Sequence, residues 1–305
     1  MTPELPGGPV RRGDRAAVPW RSFLIEATDR LTRADLPSPE VDARRIVEEA
    51  SGHDGAELGT RLDDSATIRG VARLEGMLAR REAGEPLQYV LGRWGFRRLD
   101  LLVDRRVLIP RPETEVMVGV ALDELGRQAD GTTMAAVDLG TGSGAIALSL
   151  AVERLDVEVL AVDHSPDALA VARSNLAGIG RPATRVRMIE GSWFDALESD
   201  WHGRLHLVVS NPPYVAEGDH LPSEVADWEP TDALVAGPTG REAADHIIDH
   251  AMEWLRPGGA LVLELAPDQL PHAAGLALAH GFEAVEVGSD LTGRDRVLRA
   301  RRPFG

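Results

Sequence analysis

Asn211, Pro212, Pro213 and Tyr214 follow one another directly after the apolar run LHLVVS. Neither proline can donate to a β ladder, so this segment ends a strand and fixes its last backbone groups rigidly. A planar group that carries an NH2 could donate one hydrogen to the side-chain oxygen of Asn211 and the other to the carbonyl of Pro212, while Tyr214 packs against its plane. This combination indicates a site that grips a planar amide or an aromatic amine.

The chemistry that such a site would support is transfer of a small electrophile to nitrogen. The lone pair of an amide or aromatic amine is delocalised, so the reaction needs positioning and acceptance of developing positive charge more than a strong base. A methyl group on a sulfonium is a suitable electrophile, because it transfers by in-line displacement without a metal. The alternative, a proline-rich turn without a ligand, suits an isolated Pro-Pro-Tyr but not one that a glycine loop and an acid precede.

The glycine loop places Gly140, Gly142 and Gly144 between the apolar run AAVDL and an amphipathic helical segment. Glycine allows positive φ and a close approach of a ligand to the backbone, and the start of the helix offers free N–H groups. The loop therefore predicts a nucleotide or nucleoside site. Its spacing also fits a dinucleotide, since Gly140, Gly142 and Ala145 satisfy the pattern G-x-G-x-x-G/A.

Two further side chains follow the next two strands. Asp163 ends VLAVD, where a carboxylate can accept both hydroxyls of a ribose. Ser165 and Pro166 already suit the N-cap and first residue of the following helix, which leaves Asp163 for a ligand. Trp193 and Phe194 would by default be core residues, but their position at the carboxyl end of a strand favours Trp193, more than Phe194, as a residue that flanks an adenine.

His246 and His250 stand four residues apart in HIIDH, the spacing of two metal ligands on one helix. No third ligand accompanies them in the sequence. We therefore interpret them as part of a solvated helix face and expect no metal site.

Seven short β-rich runs must carry these residues: AAVDL, VEVLAV, TRVRMI, LHLVVS, ALVLEL, FEAVEV and RVLRA. Runs that are apolar throughout predict strands buried on both faces, hence an α/β fold with a doubly wound, mainly parallel seven-stranded sheet. The last two runs, FEAVEV and RVLRA, form a closing pair and suggest that the last strand is inserted antiparallel. Ligands of such sheets bind at the carboxyl ends of the strands, which places the glycine loop, Asp163 and the Asn-Pro-Pro-Tyr segment at one edge.

The 305 residues divide into four predicted segments. Residues 1–19 are rich in Pro, Gly and charge and predict a flexible tail. Residues 20–85 space apolar side chains at three and four and predict a small helical domain. Residues 86–116 contain short β-type runs between Gly and Pro and predict a β-hairpin linker, and residues 117–305 alternate helices with the seven strands.

Charge and cysteine content restrict the partners and the compartment. The 33 basic residues against 49 acidic ones give a net charge of −16, which disfavours bulk binding to nucleic acid and favours a protein or small-molecule partner. The absence of cysteine fits a reducing cytoplasm. The first residues lack the apolar core of a signal peptide, and no apolar run approaches a membrane span.

The motifs DLGTGSGAIALSLA, VDHSPDALAVARSNL and SNPPYV resemble the class I methyltransferases that use S-adenosylmethionine and act on nitrogens of planar substrates. More specific are PLQYVLGRWGF, VLIPRPETE, GSWFDAL, ALVAGPTG, LRPGGALVLEL and DLTGRDRVLRA. In this order and spacing, from about Trp20 to Arg301, the chain resembles the peptide chain release factor N5-glutamine methyltransferases.

The resemblance implies a Rossmann-like fold and methylation of the glutamine in the Gly-Gly-Gln motif of bacterial class 1 release factors, in a monomer that binds no nucleic acid directly. The helical N-terminal domain would help to hold the release factor. The donor S-adenosylmethionine, which leaves as S-adenosylhomocysteine, would bind to the following residues: Gly140, Thr141, Gly142, Ser143, Gly144, Asp163, Trp193 and Asn211. The glutamine amide would be held by Asn211, Pro212, Pro213 and Tyr214, of which Asn211, Pro212 and Tyr214 are the catalytic candidates.

The sequence leaves open some contacts to the substrate, the class of substrate and whether the protein is catalytic. The chain departs from the usual family pattern at Trp94 and Gly95 and in the run Gly237–Ala243, where contacts to the protein substrate would differ. The Asn-Pro-Pro-Tyr motif is shared with DNA and RNA amino-methyltransferases that modify N6 of adenine or N2 of guanine. A binding protein that docks on the release factor without transferring a methyl group is a third possibility, which the intact motif argues against.

Overall fold

The structure is a computed structural model that describes residues 18–304, in which the chain divides into two units between Leu91 and Gly92. The predicted tail lies outside the described residues as far as position 17. Its last two residues are bound to the helical unit. The N–H of Ala66 donates to the carbonyl of Val18 at 2.9 Å, and Pro19 forms an isolated antiparallel bridge with Ser65.

The first unit is helical in its described part. Its helices are α1 (Trp20–Arg33), α2 (Pro39–Ser51), α3 (Gly55–Arg61), α4 (Ile68–Glu82) and α5 (Leu87–Leu91). The apolar spacing predicted α1, α2 and α4. It missed the two short helices, because α3 contains two glycines and α5 has only five residues. Since α5 belongs to this unit, the helices continue beyond residue 85, where the sequence placed the end of the helical domain.

The core of the helical unit forms where α1, α2 and α4 pack together. Trp20 is buried against Gly70, where an added Cβ would lie 2.8 Å from the indole ring. Glycine is therefore needed for α4 to approach Trp20 this closely. A buried ion pair between Arg81 and Asp42, at 2.8 Å, also joins α4 to α2.

The second unit alternates strands with helices. Its elements are β1 (Arg93–Phe96), β2 (Leu99–Leu102), α6 (Pro112–Gln128), β3 (Met134–Leu139), α7 (Ala145–Glu153), β4 (Val157–Asp163), α8 (Pro166–Gly178), β5 (Val186–Glu190), β6 (Leu205–Ser210), β7 (Val215–Ala216), α9 (Ser223–Ala226), β8 (Val235–Gly237), α10 (Glu242–Trp254), β9 (Leu255–Glu264), α11 (Leu270–Ala279), β10 (Glu283–Ser289) and β11 (Asp295–Arg301). Short 3-10 helices span Arg181–Arg185, Trp193–Ala196, Ser199–Trp201 and Thr231–Ala233.

A seven-stranded sheet in the order β10-β11-β9-β6-β3-β4-β5 organises the second unit. The strands β9, β6, β3, β4 and β5 are parallel, whereas β11 is antiparallel to both of its neighbours. Every residue of β3 and β6 is buried, as their largely apolar sequences predict. The predicted α/β fold, a doubly wound and mainly parallel sheet with a helical N-terminal domain, is confirmed, and so is the antiparallel last strand.

The predicted linker region contains more than a hairpin. β1 and β2 pair antiparallel as the sequence suggested, but α6 already begins at Pro112, inside the predicted linker. Proline at the first helical position is favourable, because its missing N–H would have no partner there. The small pair β7 and β8 was not predicted, since runs of two or three residues carry no detectable periodicity. No helix within residues 18–304 has both the length and the apolar character needed to cross a bilayer.

Candidate active site

A cavity of about 510 Å³ opens at the carboxyl ends of the central strands. Of the residues predicted from the sequence, those that line it are Gly140, Gly142, Asp163, Trp193, Asn211 and Pro213. These residues come from four loops that follow β3, β4, β5 and β6. The sheet therefore brings the candidate donor site and the candidate substrate site into one cavity.

The glycine loop has the backbone conformation that its sequence predicts, and most of its own amides donate within the protein. Gly140, Gly142 and Gly144 have φ values of +74°, +55° and +85°, in the region where glycine avoids the strain of a side chain. The N–H groups of Gly140 and Thr141 donate to the carbonyl of Val162 at 2.9 Å, and the N–H of Gly144 donates to the carbonyl of Thr141 at 2.8 Å. The loop thus offers a ligand close approach to its backbone more than unpaired donors.

Thr141 and Ser143 are buried beneath the loop and do not line the cavity. The hydroxyl of Thr141 donates to Asp138 Oδ2 at 2.6 Å, and the N–H of Ala147 donates to the same oxygen at 3.1 Å. The carbonyl of Ser143 accepts from Asn175 at 2.9 Å. These two loop residues hold the turn between β3 and α7 in place.

Asp138 is a fully buried carboxyl group that the sequence analysis did not single out. Burial raises its pKa to about 7, against the effect of its hydrogen bonds with Thr141 and Ala147. Its Oδ1 has no hydrogen-bond partner in the structure. The available signal was an acidic residue inside an otherwise apolar strand, directly before the glycine loop.

Asp163 lies at the carboxyl end of β4 and joins two neighbouring loops. Its Oδ2 accepts the N–H of Gly142 at 2.8 Å, and its Oδ1 accepts the N–H of Ser165 at 2.9 Å. A carboxylate has about four lone-pair positions, so each oxygen can accept a further hydrogen bond. The side chain can therefore hold the glycine loop and bind two vicinal hydroxyls at the same time.

Trp193 and Phe194 separate into a cavity residue and a core residue. Trp193 has a φ of +46°, which is unfavourable for a bulky side chain and typical of a functional position. A Cβ at Gly140 would lie 3.7 Å from its ring, so the indole lies over the glycine loop. Phe194 is buried and stacks on Trp254, with ring centroids 5.6 Å apart, and belongs to the core.

Asn211 follows the last residue of β6 and faces the cavity. Its Nδ2 donates to Thr114 Oγ1 at 3.2 Å. Its Oδ1 is buried without any hydrogen-bond partner. A buried carbonyl oxygen without a partner is energetically costly, so this atom requires a hydrogen-bond donor that the described residues do not supply.

Pro212 and Tyr214 do not line the cavity, although Pro213 does. Pro212 is buried, and the carbonyl of Tyr214 accepts from Gln269 Nε2 at 2.8 Å. The same amide nitrogen donates to the carbonyl of Gly240 at 2.9 Å. Burial, followed by the nearby charge of Glu264, raises the pKa of Tyr214. Gln269 and Gly240 therefore fix the backbone of the segment, a role without a sequence signal.

Gly240 gives the first testable prediction. It has a φ of +74°, and an added Cβ would lie 2.7 Å from the carbonyl oxygen of Tyr214. We expect Gly240→Ala to displace this segment, to destabilise the fold by about 1–3 kcal/mol and to lower the turnover rate. Thermal unfolding and initial-rate assays measure both effects.

Gly131→Ala is the matched control for this substitution, because Gly131 has a φ of +87° but nothing within 4 Å of an added Cβ. It should show the cost of positive φ without the loss of turnover. Equal turnover in the two variants would show that the contact between Gly240 and Tyr214 does not position the site.

His246 and His250 lie on α10, with ring centroids 4.4 Å apart. His250 is exposed and its Nδ1 is 2.8 Å from the carbonyl oxygen of His246. Burial and the neighbouring His250 lower the pKa of His246. Within residues 18–304 no group of three potential metal ligands includes them, and the ring of His246 lies 6.5 Å from that of Trp193.

Family models match both units of the chain. Residues 22–92 match the PrmC N-terminal domain, and residues 120–227 match the methyltransferase small domain. The first match covers most of the described helical unit. The second covers the strands that carry the glycine loop, Asp163, Trp193 and Asn211.

Relatives of known name match over nearly the whole chain. A release factor glutamine methyltransferase of Deinococcus radiodurans is 40% identical over 93% of this chain and 99% of its own length. The enzyme of the same name from Cereibacter sphaeroides is 40% identical over 92% of this chain and 97% of its own. Among solved structures, the catalytic domain of hMettl16 in complex with the MAT2A 3'UTR hairpin 6 has a TM-score of 0.53 at 16% identity. That match covers 77% of this chain and 82% of the other, and at this identity it indicates a shared fold alone.

Proposed function

The chain belongs to the release factor glutamine methyltransferases, and from this premise we propose its substrate atom and the roles of its residues. It is an S-adenosylmethionine-dependent methyltransferase. We propose that it methylates the side-chain amide nitrogen of the glutamine in the Gly-Gly-Gln motif of bacterial class 1 release factors. The methyl–sulfonium bond and one N–H bond of the amide would break, leaving S-adenosylhomocysteine, a secondary amide and a proton that passes to solvent.

The observation that carries this proposal is the unpartnered Oδ1 of Asn211. This oxygen is buried, and it belongs to a residue that lines the same cavity as the glycine loop and Asp163. A primary amide has two N–H donors, and one of them can satisfy this oxygen while the other binds a second acceptor. We assign the second acceptor to the carbonyl of Pro212, which would leave the nitrogen lone pair facing the donor side of the cavity.

The lining of the cavity fits S-adenosylmethionine. Asp163 has lone pairs left for the two ribose hydroxyls, and the indole of Trp193 offers a face for the adenine. Gly140 and Gly142 lack the side chains that would fill the space above the loop. When bound, the cofactor supplies an electrophilic methyl group on a sulfonium.

The residues of the chain position the amide and stabilise the charge that develops on it. The amide nitrogen is a weak nucleophile, and its N–H groups become more acidic as the new bond forms. Acceptors at Asn211 and Pro212 therefore bind the transition state more strongly than the ground state. Pro213, which lines the cavity, would restrict the plane of the amide. No metal is needed, since the leaving group departs as a neutral thioether.

The helical unit is proposed to contribute to recognition of the release factor. Its match to the PrmC N-terminal domain and the net charge of −16 support a protein partner over nucleic acid. We further propose that the enzyme acts as a monomer in the cytoplasm, where translation factors function.

A side-by-side transfer assay tests the proposed substrate class. The enzyme is incubated with S-adenosylmethionine carrying a labelled methyl group, and with a class 1 release factor, double-stranded DNA or structured RNA in parallel. Label is expected in the release factor alone. Label in nucleic acid without label in the protein would instead support the amino-methyltransferase alternative that shares the Asn-Pro-Pro-Tyr motif.

A further inference from the structure

Glu264 is a buried carboxyl group beside the substrate site, and the reaction as proposed does not use it. Ser210 at the end of β6 pairs with Leu263 of β9, so the next residues along these parallel strands, Asn211 and Glu264, are neighbours. Glu264 is only 1% exposed, and its Oε2 has no hydrogen-bond partner. A carboxyl group in such a position is costly to bury, which indicates a specific purpose.

Thr114 links Glu264 to Asn211. It lies in the first turn of α6, which packs against β9 and β6, and is 4% exposed. Its hydroxyl oxygen accepts Asn211 Nδ2 at 3.2 Å, and it lies close enough to the Glu264 carboxyl group to lower the pKa of that group through hydrogen bonding. A hydroxyl has one proton. When Glu264 is ionised it can accept that proton in a hydrogen bond, and Thr114 then offers only its oxygen to Asn211.

This arrangement decides which end of the Asn211 amide faces the cavity. If the amide turned over, its oxygen would meet the lone pairs of Thr114, and its NH2 would point at the substrate NH2. Both contacts are repulsive. With the amide as observed, Nδ2 is satisfied by Thr114 and Oδ1 is left for the substrate.

We propose that Glu264, acting through Thr114, is a positioning residue that fixes the Asn211 amide with its oxygen toward the substrate. The inference rests on the proposed function and deepens it, because it identifies what makes the site select an NH2 donor. A carboxamide can donate to Oδ1 of Asn211, whereas a carboxylate of the same shape would oppose it oxygen to oxygen. The pair thereby discriminates glutamine from glutamate.

The charge state of Glu264 depends on its surroundings. Its pKa is raised to about 7, chiefly by burial and also by the charge of Glu113. The hydrogen bond from Thr114 and the charges of Arg296 and Arg111 act in the opposite direction. Tyr214 is also nearby, since the charge of Glu264, after burial, contributes to raising the pKa of Tyr214. When protonated, Glu264 can donate to Thr114 and release the Thr114 proton, so Thr114 no longer prefers either end of the amide.

Thr114→Val and Thr114→Ser test the inference as a pair. Valine keeps the shape but removes the hydroxyl, whereas serine keeps the hydroxyl. For Thr114→Val we expect the single-turnover rate of methyl transfer to fall about 10- to 100-fold, the range for a misplaced group near the reacting atoms. Thr114→Ser should restore most of that rate. Calorimetric affinity for S-adenosylmethionine should be unchanged in both variants.

A second readout separates positioning from a general structural effect. A release factor whose motif glutamine is replaced by glutamate serves as a competitive inhibitor. In Thr114→Val the freed amide can turn its NH2 toward the carboxylate, so the preference for glutamine over glutamate should fall about tenfold. Ser149→Ala, which removes a buried hydroxyl that donates to Ala145 at 2.7 Å within α7, is the matched control and should leave the preference unchanged.

The outcomes are distinct. A wild-type enzyme that does not methylate the release factor would refute the proposed function itself. A wild-type enzyme that methylates it, with Thr114→Val equal to it in rate and in preference, would refute the positioning role alone. A slower Thr114→Val with an unchanged preference and no rescue by serine would show a structural role and would also overturn the inference.

The pH dependence of the single-turnover rate gives an independent prediction. It tests the positioning role of Glu264 even if Thr114→Val does not fold. Ionised Glu264 accepts from Thr114, so the wild-type single-turnover rate should rise as the pH increases through about 7. Glu264→Gln keeps an acceptor oxygen at all pH values and should flatten this rise, apart from any contribution from Asp138, which the variant retains. An identical rise in both proteins would contradict the coupling of Glu264 to Asn211.

Discussion

Asn211→Ala is expected to lower the rate of methyl transfer by about 10²–10³-fold, the loss found when one preorganised polar group is removed from a catalytic site. The variant lacks the buried Oδ1 that has no partner within the protein. The substrate amide would lose its acceptor and its orientation together. Because Asn211 donates only to Thr114, the fold should tolerate the change. Single-turnover kinetics with a class 1 release factor measure the effect.

Donor binding is the control for this variant. Asp163 and the glycine loop are separate from the Asn211 amide, so affinity for S-adenosylmethionine should be largely kept in calorimetric titrations. Asn211→Ala with the wild-type rate would show that another group holds the substrate nitrogen. A parallel loss of donor affinity and rate would indicate that Asn211 acts mainly on the donor.

Asp163→Ala is expected to weaken binding of S-adenosylmethionine by about 10²-fold or more, because each hydrogen bond to a charged group contributes about 1.5–3 kcal/mol. The carboxylate would bind two ribose hydroxyls, and it also holds the N–H groups of Gly142 and Ser165. Its removal therefore loosens the glycine loop as well. Titration calorimetry with the donor alone gives the change in Kd.

Asp156→Ala is the matched control for Asp163→Ala. Asp156 precedes the same strand at its amino end and pairs with Arg154 at the surface, away from the edge that binds ligands. It should leave the donor Kd unchanged. Equal affinities of the Asp163 variant and the wild type would refute the assignment of Asp163 to the donor.

The sheet and the location of the site could be predicted because both depend on local patterns. Strands buried on both faces are mostly apolar, as β3 and β6 are. Parallel strands bring their carboxyl ends to one edge, so polar motifs that follow successive strands must converge. Gly140, Asp163, Trp193 and Asn211 do line one cavity.

The residues that the sequence analysis missed act through contacts distant in the chain. Thr114 and Asn211 are 97 positions apart, and Glu264 reaches them only because β9 lies beside β6. No spacing in the sequence encodes this arrangement. Thr114 is an ordinary residue of a helical turn, and Glu264 resembles a misplaced charge in an apolar strand until its neighbours are known.

The glycine loop shows a different limit. Its sequence predicts positive φ at Gly140, Gly142 and Gly144, which the structure has. It does not reveal that most of the loop amides donate to the protein. That pattern depends on Val162 and Asp163 of the adjacent strand, whose register only the folded sheet sets.

Peptide mass spectrometry of a bacterial class 1 release factor, after incubation with this protein and S-adenosylmethionine, tests the central claim most directly. A fragment ion series that places one added methyl group on the side chain of the Gly-Gly-Gln glutamine is the result that the proposed function requires. A release factor with glutamate at that position should gain nothing. An unmodified glutamine in the presence of demonstrated donor binding would contradict the proposed substrate, although the methyltransferase fold would remain.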